Sequence, residues 1–276
     1  MKIGITQLLI GGARKMDEWL PKVKAAGYDC VEILMTDNGD LPFDFTSQDI
    51  ERIKELSARY QVELTSMLTS VSQRGSLSSS DPADHDRFVA VTHKGIDAAV
   101  ALAIDTILTI PGGPSAAVRY DVAYQRNVAG MRRVAPYAEK AGVNLAIEYV
   151  WNGMFLSPLE MKRFFDEVGS PRIGFYMDPG NMAISSIPEQ WAEILGPHIQ
   201  KVHFKDFKKI FGESRFEWKA LLEGDVNYPR FMAALRGAEY DGAVISEVDA
   251  GLVHGAADPW EAHRITAEAM RKILAM

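Results

Sequence analysis

The 276-residue chain has one cysteine, Cys30, which excludes an intrachain disulfide and a metal centre built from thiolates. Cys30 is expected to be a small buried strand residue in a protein of the reducing cytoplasm. No apolar run approaches the ~20 residues that a membrane-spanning helix needs, so no membrane partner is expected. The opening Met1–Thr6 has the pattern of a short strand and lacks the long apolar stretch of a signal peptide.

Positive charge is also scarce. The chain has 30 Lys and Arg against 37 Asp and Glu, which gives a net charge of −7. This balance argues against a nucleic-acid partner, because phosphate backbones require basic surfaces. No glycine motif of the G-x-G-x-x-G type follows the first strand, which lowers the case for a dinucleotide-binding fold. The hydrophobic content of 47% is ample for a large core.

Short strand patterns alternate with amphipathic helix patterns along the whole chain, without a linker or a shift in composition. The predicted strands cover residues 2–7, 29–34, 62–67, 106–110, 144–148, 173–178, 199–207 and 242–247. The predicted helices cover residues 16–26, 46–60, 82–103, 123–141, 159–168, 188–195, 228–236 and 259–274. This alternation implies a parallel sheet with right-handed crossovers, and eight such units favour a closed barrel. We therefore predict an α/β fold, a single (β/α)8 TIM-barrel domain over residues 1–276.

Three connections lack a regular hydrophobic period. Thr69–Ser80 is rich in serine and predicts a loop, either a lid or a mobile surface segment. Pro111–Pro114 contains two glycines, and a plain turn is favoured there over a backbone that approaches a ligand. Phe207–Asp225 predicts a polar connection between the seventh strand and the next helix.

Four predicted strands carry metal-binding residue types at their ends. Glu148, Asp178 and Glu247 close three of them, and His203 lies near the end of a fourth. A lone histidine is more often a core residue, but carboxylates at the ends of apolar strands need partners. In a barrel the carboxyl ends of all strands converge on one mouth, so these four side chains can meet. Such a set suits one divalent ion, with Mn²⁺ preferred and Mg²⁺ or Co²⁺ as alternatives.

The predicted group favours sugar chemistry over a purely structural metal. A divalent ion can polarise a sugar carbonyl and stabilise the enediolate that forms when the neighbouring proton leaves. One carboxylate can remove the proton and another can return it from the opposite face. Glu148 and Glu247, at the two ends of the ligand set, form the natural pair. For Glu32, inside the second strand, a salt bridge at the barrel bottom is favoured over the orientation of a substrate or a metal-bound group.

The sequence resembles the sugar phosphate isomerase/epimerase superfamily of xylose-isomerase-like barrels over essentially its whole length. The matching stretches are Ala146-Ile-Glu-Tyr-Val-Trp-Asn152, Tyr176-Met-Asp-Pro-Gly-Asn181, Val202-His-Phe-Lys-Asp206, Glu223-Gly-Asp-Val-Asn227 and Tyr240-Asp-Gly-Ala-Val-Ile-Ser-Glu247. The resemblance implies one divalent ion held by Glu148, Asp178, His203 and Glu247. It also implies that Glu148 and Glu247 are the acid–base pair of a ketose 3-epimerase, which acts on a sugar or sugar phosphate through a cis-enediolate.

The chain departs from the free-ketose epimerases at three positions. Three residues after the aspartate, Asn181 stands where the free-ketose epimerases have a histidine. The resulting Asp-x-Gly-Asn pattern is similar to that of the phosphopentulose epimerases. Lys209 replaces an arginine, and Met154 replaces a glutamate near the substrate. We expect Trp151, Asn152, Asn181 and Lys209 to contact the substrate. The alternatives are rim packing for Trp151, a turn-forming role for Asn181 and a solvated charge for Lys209.

Other functions compatible with the same barrel remain open. The same enediolate could expel a β-hydroxyl, as in the inosose dehydratases, which would make the protein a lyase or dehydratase. A non-enzymatic sugar-binding subunit has no need for two proton-transfer carboxylates. An abasic-site nuclease resembling endonuclease IV would need additional histidines and a basic face. The resemblance also implies a homo-oligomer, either a dimer or a tetramer.

Overall fold

Eight parallel strands close into a barrel in the computed structural model, which describes residues 1–10, 15–69, 74–210, 212 and 215–276. The strands of this part of the chain are β1 (Ile3–Thr6), β2 (Cys30–Met35), β3 (Glu63–Thr69), β4 (Thr106–Thr109), β5 (Asn144–Glu148), β6 (Ile173–Met177), β7 (Ile199–Phe204), β8 (Asp206–Ile210), β9 (Arg215–Lys219) and β10 (Val244–Ser246). The order around the barrel is β1, β10, β7, β6, β5, β4, β3, β2. The predicted (β/α)8 architecture is confirmed.

Helices connect the barrel strands. They are α1 (Met16–Ala25), α2 (Ser47–Tyr60), α3 (Pro82–Leu102), α4 (Tyr120–Ala141), α5 (Pro158–Val168), α6 (Pro179–Ala183), α7 (Pro188–Leu195), α8 (Tyr228–Gly237) and α9 (Pro259–Leu274). Helix α2 begins with a reciprocal capping box between Thr46 and Asp49. Helix α4 ends at Gly142, whose φ of 73° is readily adopted only by glycine. Among the helices described, none has the length and apolar character that a bilayer crossing requires.

Strand β7 places polar side chains inside the barrel. Val202 and Phe204 belong to the large hydrophobic core between the barrel and its helices. The alternating residues carry polar side chains inward: the Lys201 ammonium donates to the carbonyl of Thr65 at 2.8 Å, and His203 contacts buried carboxylates higher in the barrel. The period-2 pattern of this strand therefore directs the side chains of Lys201 and His203 into the barrel and those of Val202 and Phe204 towards the helices.

The connection after β7 differs from the prediction. Strand β7 ends at Phe204 rather than Phe207, and the supposedly polar stretch forms an antiparallel hairpin of β8 and β9. Phe207 lies opposite Trp218 and Lys208 lies opposite Glu217 in its ladder. Cross-strand aromatic and charge pairs of this kind stabilise hairpins. A short helix, α6, was also not predicted.

The predicted loop Thr69–Ser80 is only partly described. Thr69 belongs to β3, and residues 70–73 lie outside the described part of the chain, so the lid expectation is not tested there. Residues 76–78 are anchored: the N–H of Leu77 donates to the Pro111 carbonyl at 2.8 Å, and the Ser78 hydroxyl donates to the Gly113 carbonyl at 2.7 Å. The carbonyls of Pro111 and Gly113 thus fix the neighbouring loop. The turn expected at residues 111–114 lies instead at residues 116–117, between the paired Ser115 and Val118. Cys30 is a free, fully buried residue of β2, as predicted.

A buried aspartate holds the hairpin to the barrel. Asp206, at the start of β8, is fully buried, and its carboxylate accepts four backbone N–H bonds at 2.8–3.3 Å, from Phe207, Leu222, Gly224 and Val226. Hydrogen bonds to charged groups contribute about 1.5–3 kcal/mol each, and buried N–H groups without an acceptor are costly. The Asp206→Ala variant is therefore expected to lower the free energy of unfolding by at least about 3 kcal/mol, as measured by urea denaturation.

The neighbouring Asp225 offers a matched control. Its exposed carboxylate accepts one backbone N–H, from Lys209, at 2.7 Å. Asp225→Ala should cost no more than about 1 kcal/mol. Equal losses in the two variants would contradict the anchoring role of Asp206.

Candidate metal and active site

The four residues predicted from the strand ends meet at the carboxyl end of the barrel. Glu148 is the last residue of β5, Asp178 follows β6, His203 lies in β7, and Glu247 follows β10. One ligand atom from each lies within 4.8 Å of those of the other three. The structure therefore brings together residues that are far apart in sequence, and this group could hold one metal ion.

His203 has a different partner on each side of its ring. Nδ1 faces the candidate ligands, at 3.3 Å from Glu148 Oε1 and 3.4 Å from Glu247 Oε2. Nε2 points the other way and lies 3.1 Å from Glu32 Oε1. The orientation of the imidazole thus leaves Nδ1 for the centre of the group.

Glu32 therefore lies beside the site and not at the barrel bottom, where a salt bridge was favoured. It is fully buried in the barrel interior. Besides His203, its carboxylate accepts hydrogen bonds from the hydroxyls of Tyr176 at 2.5 Å and Ser66 at 3.0 Å. The preferred position of Glu32 at the barrel bottom was wrong, and its ion pair is with His203. The contacts fit the alternative, the orientation of a metal-bound group.

Asp178 presents one oxygen to the site and uses the other in the fold. It is the N-cap of α6, where Oδ1 accepts the N–H of Asn181 at 2.9 Å. Oδ2 is buried and has no hydrogen-bond partner within the described residues. A buried carboxylate oxygen without a donor is expensive, and a cation at the centre of the group would satisfy it. With two further carboxylates and one imidazole nitrogen beside it, the donor set fits a divalent ion that prefers oxygen ligands.

Asn181 supports a candidate ligand. It is 6% exposed, and its side-chain amide donates to Glu148 Oε1 at 3.2 Å and to the carbonyl of Tyr149 at 3.1 Å. The backbone carbonyl of Asn181 accepts the indole N–H of Trp151 at 2.9 Å. Asn181 therefore ties Glu148 to Trp151 at the rim, in addition to the substrate contact expected from the sequence.

The other three residues expected to contact substrate lie in the connections that follow β5 and β7. Trp151 is 46% exposed and stacks on Trp218 of the hairpin, with ring centroids 4.9 Å apart. The side-chain oxygen of Asn152 accepts the N–H of Met154 at 3.1 Å and so shapes a local turn. Lys209 lies on β8, where its backbone N–H donates to Asp225. The structure thus places Trp151 beside the mouth and Lys209 on the hairpin.

Two members of the site were not singled out from the sequence. The Lys205 ammonium lies 2.9 Å from Glu247 Oε2 and 3.9 Å from Asp178 Oδ2, and 4.5 Å from the ring centroid of Trp218. Lys205 shares its face of the chain with His203, so the period-2 pattern contained this signal. Trp218 could be placed only once the hairpin was known.

Proton affinities differ sharply across this cluster. Burial raises the pKa of Glu148 to about 7, although His203 opposes the rise. Burial acts in the same direction on Glu247, but the hydrogen bonds and charges of His203 and Lys205 outweigh it and lower the pKa of Glu247 to about 2. Burial also raises the pKa of Asp178. Adjacent carboxylates whose pKa values are driven apart are typical of acid–base sites.

Comparison with known proteins identifies similar sequences and folds. The chain is 27% identical over 248 residues to an L-ribulose 3-epimerase of Methylomonas sp. (strain DH-1), covering 86% of this chain and 78% of that protein. It is 25% identical over 262 residues to the putative L-ribulose-5-phosphate 3-epimerase SgbU of Escherichia coli (strain K12), covering 90% and 88%. The crystal structure of D-psicose 3-epimerase in the presence of D-fructose superposes with a TM-score of 0.81, 22% identity and full coverage of both chains.

All three similar proteins are named as epimerases, the SgbU protein as a putative one, and epimerases are isomerases. The structural similarity, at its low identity, supports the fold alone. A family model described as xylose isomerase-like TIM barrel matches residues 20–274, and the chain belongs to this family.

Proposed function

We propose that the protein is a divalent-metal-dependent ketose 3-epimerase that acts on a sugar or sugar phosphate. The observation that carries the proposal is the pair Glu148 and Glu247, which flank His203 Nδ1 at 3.3 and 3.4 Å. Epimerisation requires one group to remove a proton from carbon and another to deliver a proton to the opposite face. Two glutamates with opposite proton affinities around one centre meet this requirement.

In this proposal, Glu148, Asp178, His203 and Glu247 hold the ion, for which Mn²⁺ is the first choice. When bound, the ion would polarise the ketose carbonyl and offset the negative charge that develops on its oxygen. The protein residues do the rest. Glu247, whose pKa is low, begins ionised and takes the proton at C3, whereas Glu148, with a pKa of about 7, can carry a proton to return. In the reverse direction the two roles exchange.

The rim residues would bind and orient the sugar. The exposed face of Trp151, stacked on Trp218, offers an apolar platform for the C–H face of a ketose. Asn181 fixes Glu148 through its amide, so that the carboxyl stays directed at the centre. A substrate of the size of a ketopentose agrees with the L-ribulose named for one relative and the L-ribulose 5-phosphate named for the other.

The test is deuterium incorporation in D₂O with added Mn²⁺, on a panel of free ketoses and ketose phosphates followed by NMR. We expect label at C3 together with the inverted product. Label at C1 or C2 with aldose formation would show an isomerase, and a product short of one water would show a dehydratase. No label on any sugar, with Mn²⁺ shown to be bound, would contradict the proposal. The better class of substrate decides the question of phosphate.

A further inference from the structure

Glu32 is a buried carboxylate that the proposed proton transfer does not use. It belongs to β2, on the far side of His203 from Glu148 and Glu247, and is fully buried. Polar groups buried this deeply are rarely kept without a reason, because desolvation of a charge is costly. Its hydrogen-bond partners His203, Tyr176 and Ser66 all lie in the barrel interior, so the carboxylate lies directly beneath the candidate site.

The two oxygens of Glu32 are used differently. Oε2 accepts the hydroxyls of Tyr176 and Ser66, at 2.5 and 3.0 Å. Oε1 lies 3.1 Å from His203 Nε2. Because two O–H donors occupy Oε2, the carboxylate is fixed with Oε1 directed at the imidazole. Tyr176 also packs on His203, with ring centroids 4.4 Å apart and an interplanar angle of 51°, which restricts rotation of the ring.

We propose that Glu32 is the positioning residue for His203: it accepts the Nε2–H and thereby keeps the unshared electron pair of Nδ1 directed at the metal site. This inference rests on the proposed metal site, although not on the identity of the substrate. When Nδ1 binds a cation, the imidazole keeps its single proton on Nε2, and the Glu32 carboxylate accepts that proton in a hydrogen bond. A carboxylate acceptor also makes the opposite nitrogen a stronger donor to a cation.

The local irregularity of the sheet supports this placement. The pairing of β2 with β3 shifts register between Val31 and Glu32, so that Glu32 lies beside Ser66 instead of Thr65. Irregularities of this kind redirect a side chain at the cost of regular pairing. Here the shift gives Glu32 the Ser66 hydroxyl as a donor and helps to fix the carboxylate under the His203 ring.

The test is the affinity of the metal-free protein for Mn²⁺, measured by calorimetry without substrate. Glu32→Gln is expected to weaken Mn²⁺ binding about 10–100-fold. Glu32→Asp retains the charge but withdraws it by one methylene, and should also weaken binding. His203→Ala sets the scale for complete loss of that ligand. A visible spectrum of the Co²⁺-loaded protein should change in both Glu32 variants, since the ring orientation changes.

Asp40 provides a matched control for the replacement of a buried acid. It accepts a hydrogen bond from the Met16 N–H at 2.8 Å and one from Arg52 at 2.6 Å, and these partners are not among the four candidate ligands. Asp40→Asn should lower the unfolding temperature and leave Mn²⁺ affinity unchanged. If folded Glu32→Gln and Glu32→Asp both bind Mn²⁺ within about threefold of wild type, well short of the expected loss, the positioning role is wrong. If the wild type itself binds no divalent ion, the metal site is wrong and the inference falls with it.

Discussion

Replacing Glu247 by glutamine is expected to reduce turnover at least about a thousandfold while the barrel stays folded. The amide is nearly the same size, so the surroundings of a side chain that is 20% exposed can be retained. It can neither accept nor return a proton at neutral pH. It also removes a negative charge that faces His203 Nδ1 at 3.4 Å and the Lys205 ammonium at 2.9 Å. A thousandfold loss corresponds to about 4 kcal/mol of transition-state stabilisation.

Proton exchange, followed separately for each epimer, distinguishes the loss of a base from the loss of the metal. Under the two-base scheme, Glu247→Gln should no longer exchange the C3 proton of the epimer that Glu247 attacks. Slow exchange of the other epimer, through Glu148, should persist when Mn²⁺ is present at saturating concentration. Glu217→Gln makes the same chemical change on the hairpin, where Glu217 pairs with Lys219 at 2.6 Å, and should leave turnover intact. Wild-type turnover in Glu247→Gln would refute the assigned role.

The four-residue group could be predicted because barrel topology does most of the placement. Once the strands are identified, a carboxylate at the end of β5 and another after β10 must lie at the same mouth, whatever their separation in sequence. The prediction requires only that the end of the strand at which each residue lies is known. That information is local, and the strand patterns before Glu148, Asp178 and Glu247 are clear.

The level of a side chain inside the barrel is harder to read from sequence. Glu32 was assigned to the bottom because its position within β2 does not reveal the stagger of neighbouring strands. The register shift next to it is a property of the β2–β3 pair and not of either strand alone. The contact between Glu32 and His203 therefore required the three-dimensional structure.

The hairpin was missed for another reason. Residues 206–219 include seven Lys, Arg, Asp or Glu residues, and such charge is typical of a solvated connection. Yet Phe216 and Trp218 alternate with Arg215 and Glu217, which is the pattern of a strand with two faces. The signal was present in β9, but the partner strand β8 has two adjacent lysines and lacks a clear alternation.

Charge balance at the mouth links the site residues to each other. The cluster contains the carboxylates of Glu32, Glu148, Asp178 and Glu247. The Lys205 ammonium offsets one of these charges, and the charge of Glu32 raises the pKa of His203 well above its usual value against the effect of burial, so the imidazolium offsets another. In this state burial raises the pKa of Glu148 to about 7, and His203 and Lys205 lower the pKa of Glu247 to about 2. Under the proposed function, a divalent ion would replace the charge of the imidazolium, and the two glutamates would serve as acid and base.

Lys205→Met gives the second large effect that we expect, a loss of turnover of about a hundredfold with metal binding retained or strengthened. The ammonium lies between Glu247 and Asp178, at 2.9 and 3.9 Å, so it repels a cation bound by the same carboxylates. Its removal should therefore not weaken Mn²⁺ binding. Turnover should fall because Lys205 stabilises both the ionised form of Glu247 and negative charge that develops on a substrate beside it.

Removal of Lys205 should also change the pH dependence of turnover in a definite direction. Lys205 and His203 favour the ionised form of Glu247 and lower its pKa to about 2 against the opposing effect of burial. Without the Lys205 ammonium the pKa of Glu247 rises, so this base becomes protonated at a higher pH. The acid limb of the pH–rate profile should therefore shift to higher pH. Lys219→Met removes a lysine of the same hairpin that pairs with Glu217 instead, and should shift neither turnover nor the profile. A Lys205→Met variant that loses Mn²⁺ affinity in proportion to turnover would contradict this account, because Lys205 would then act through the metal site and not through the base.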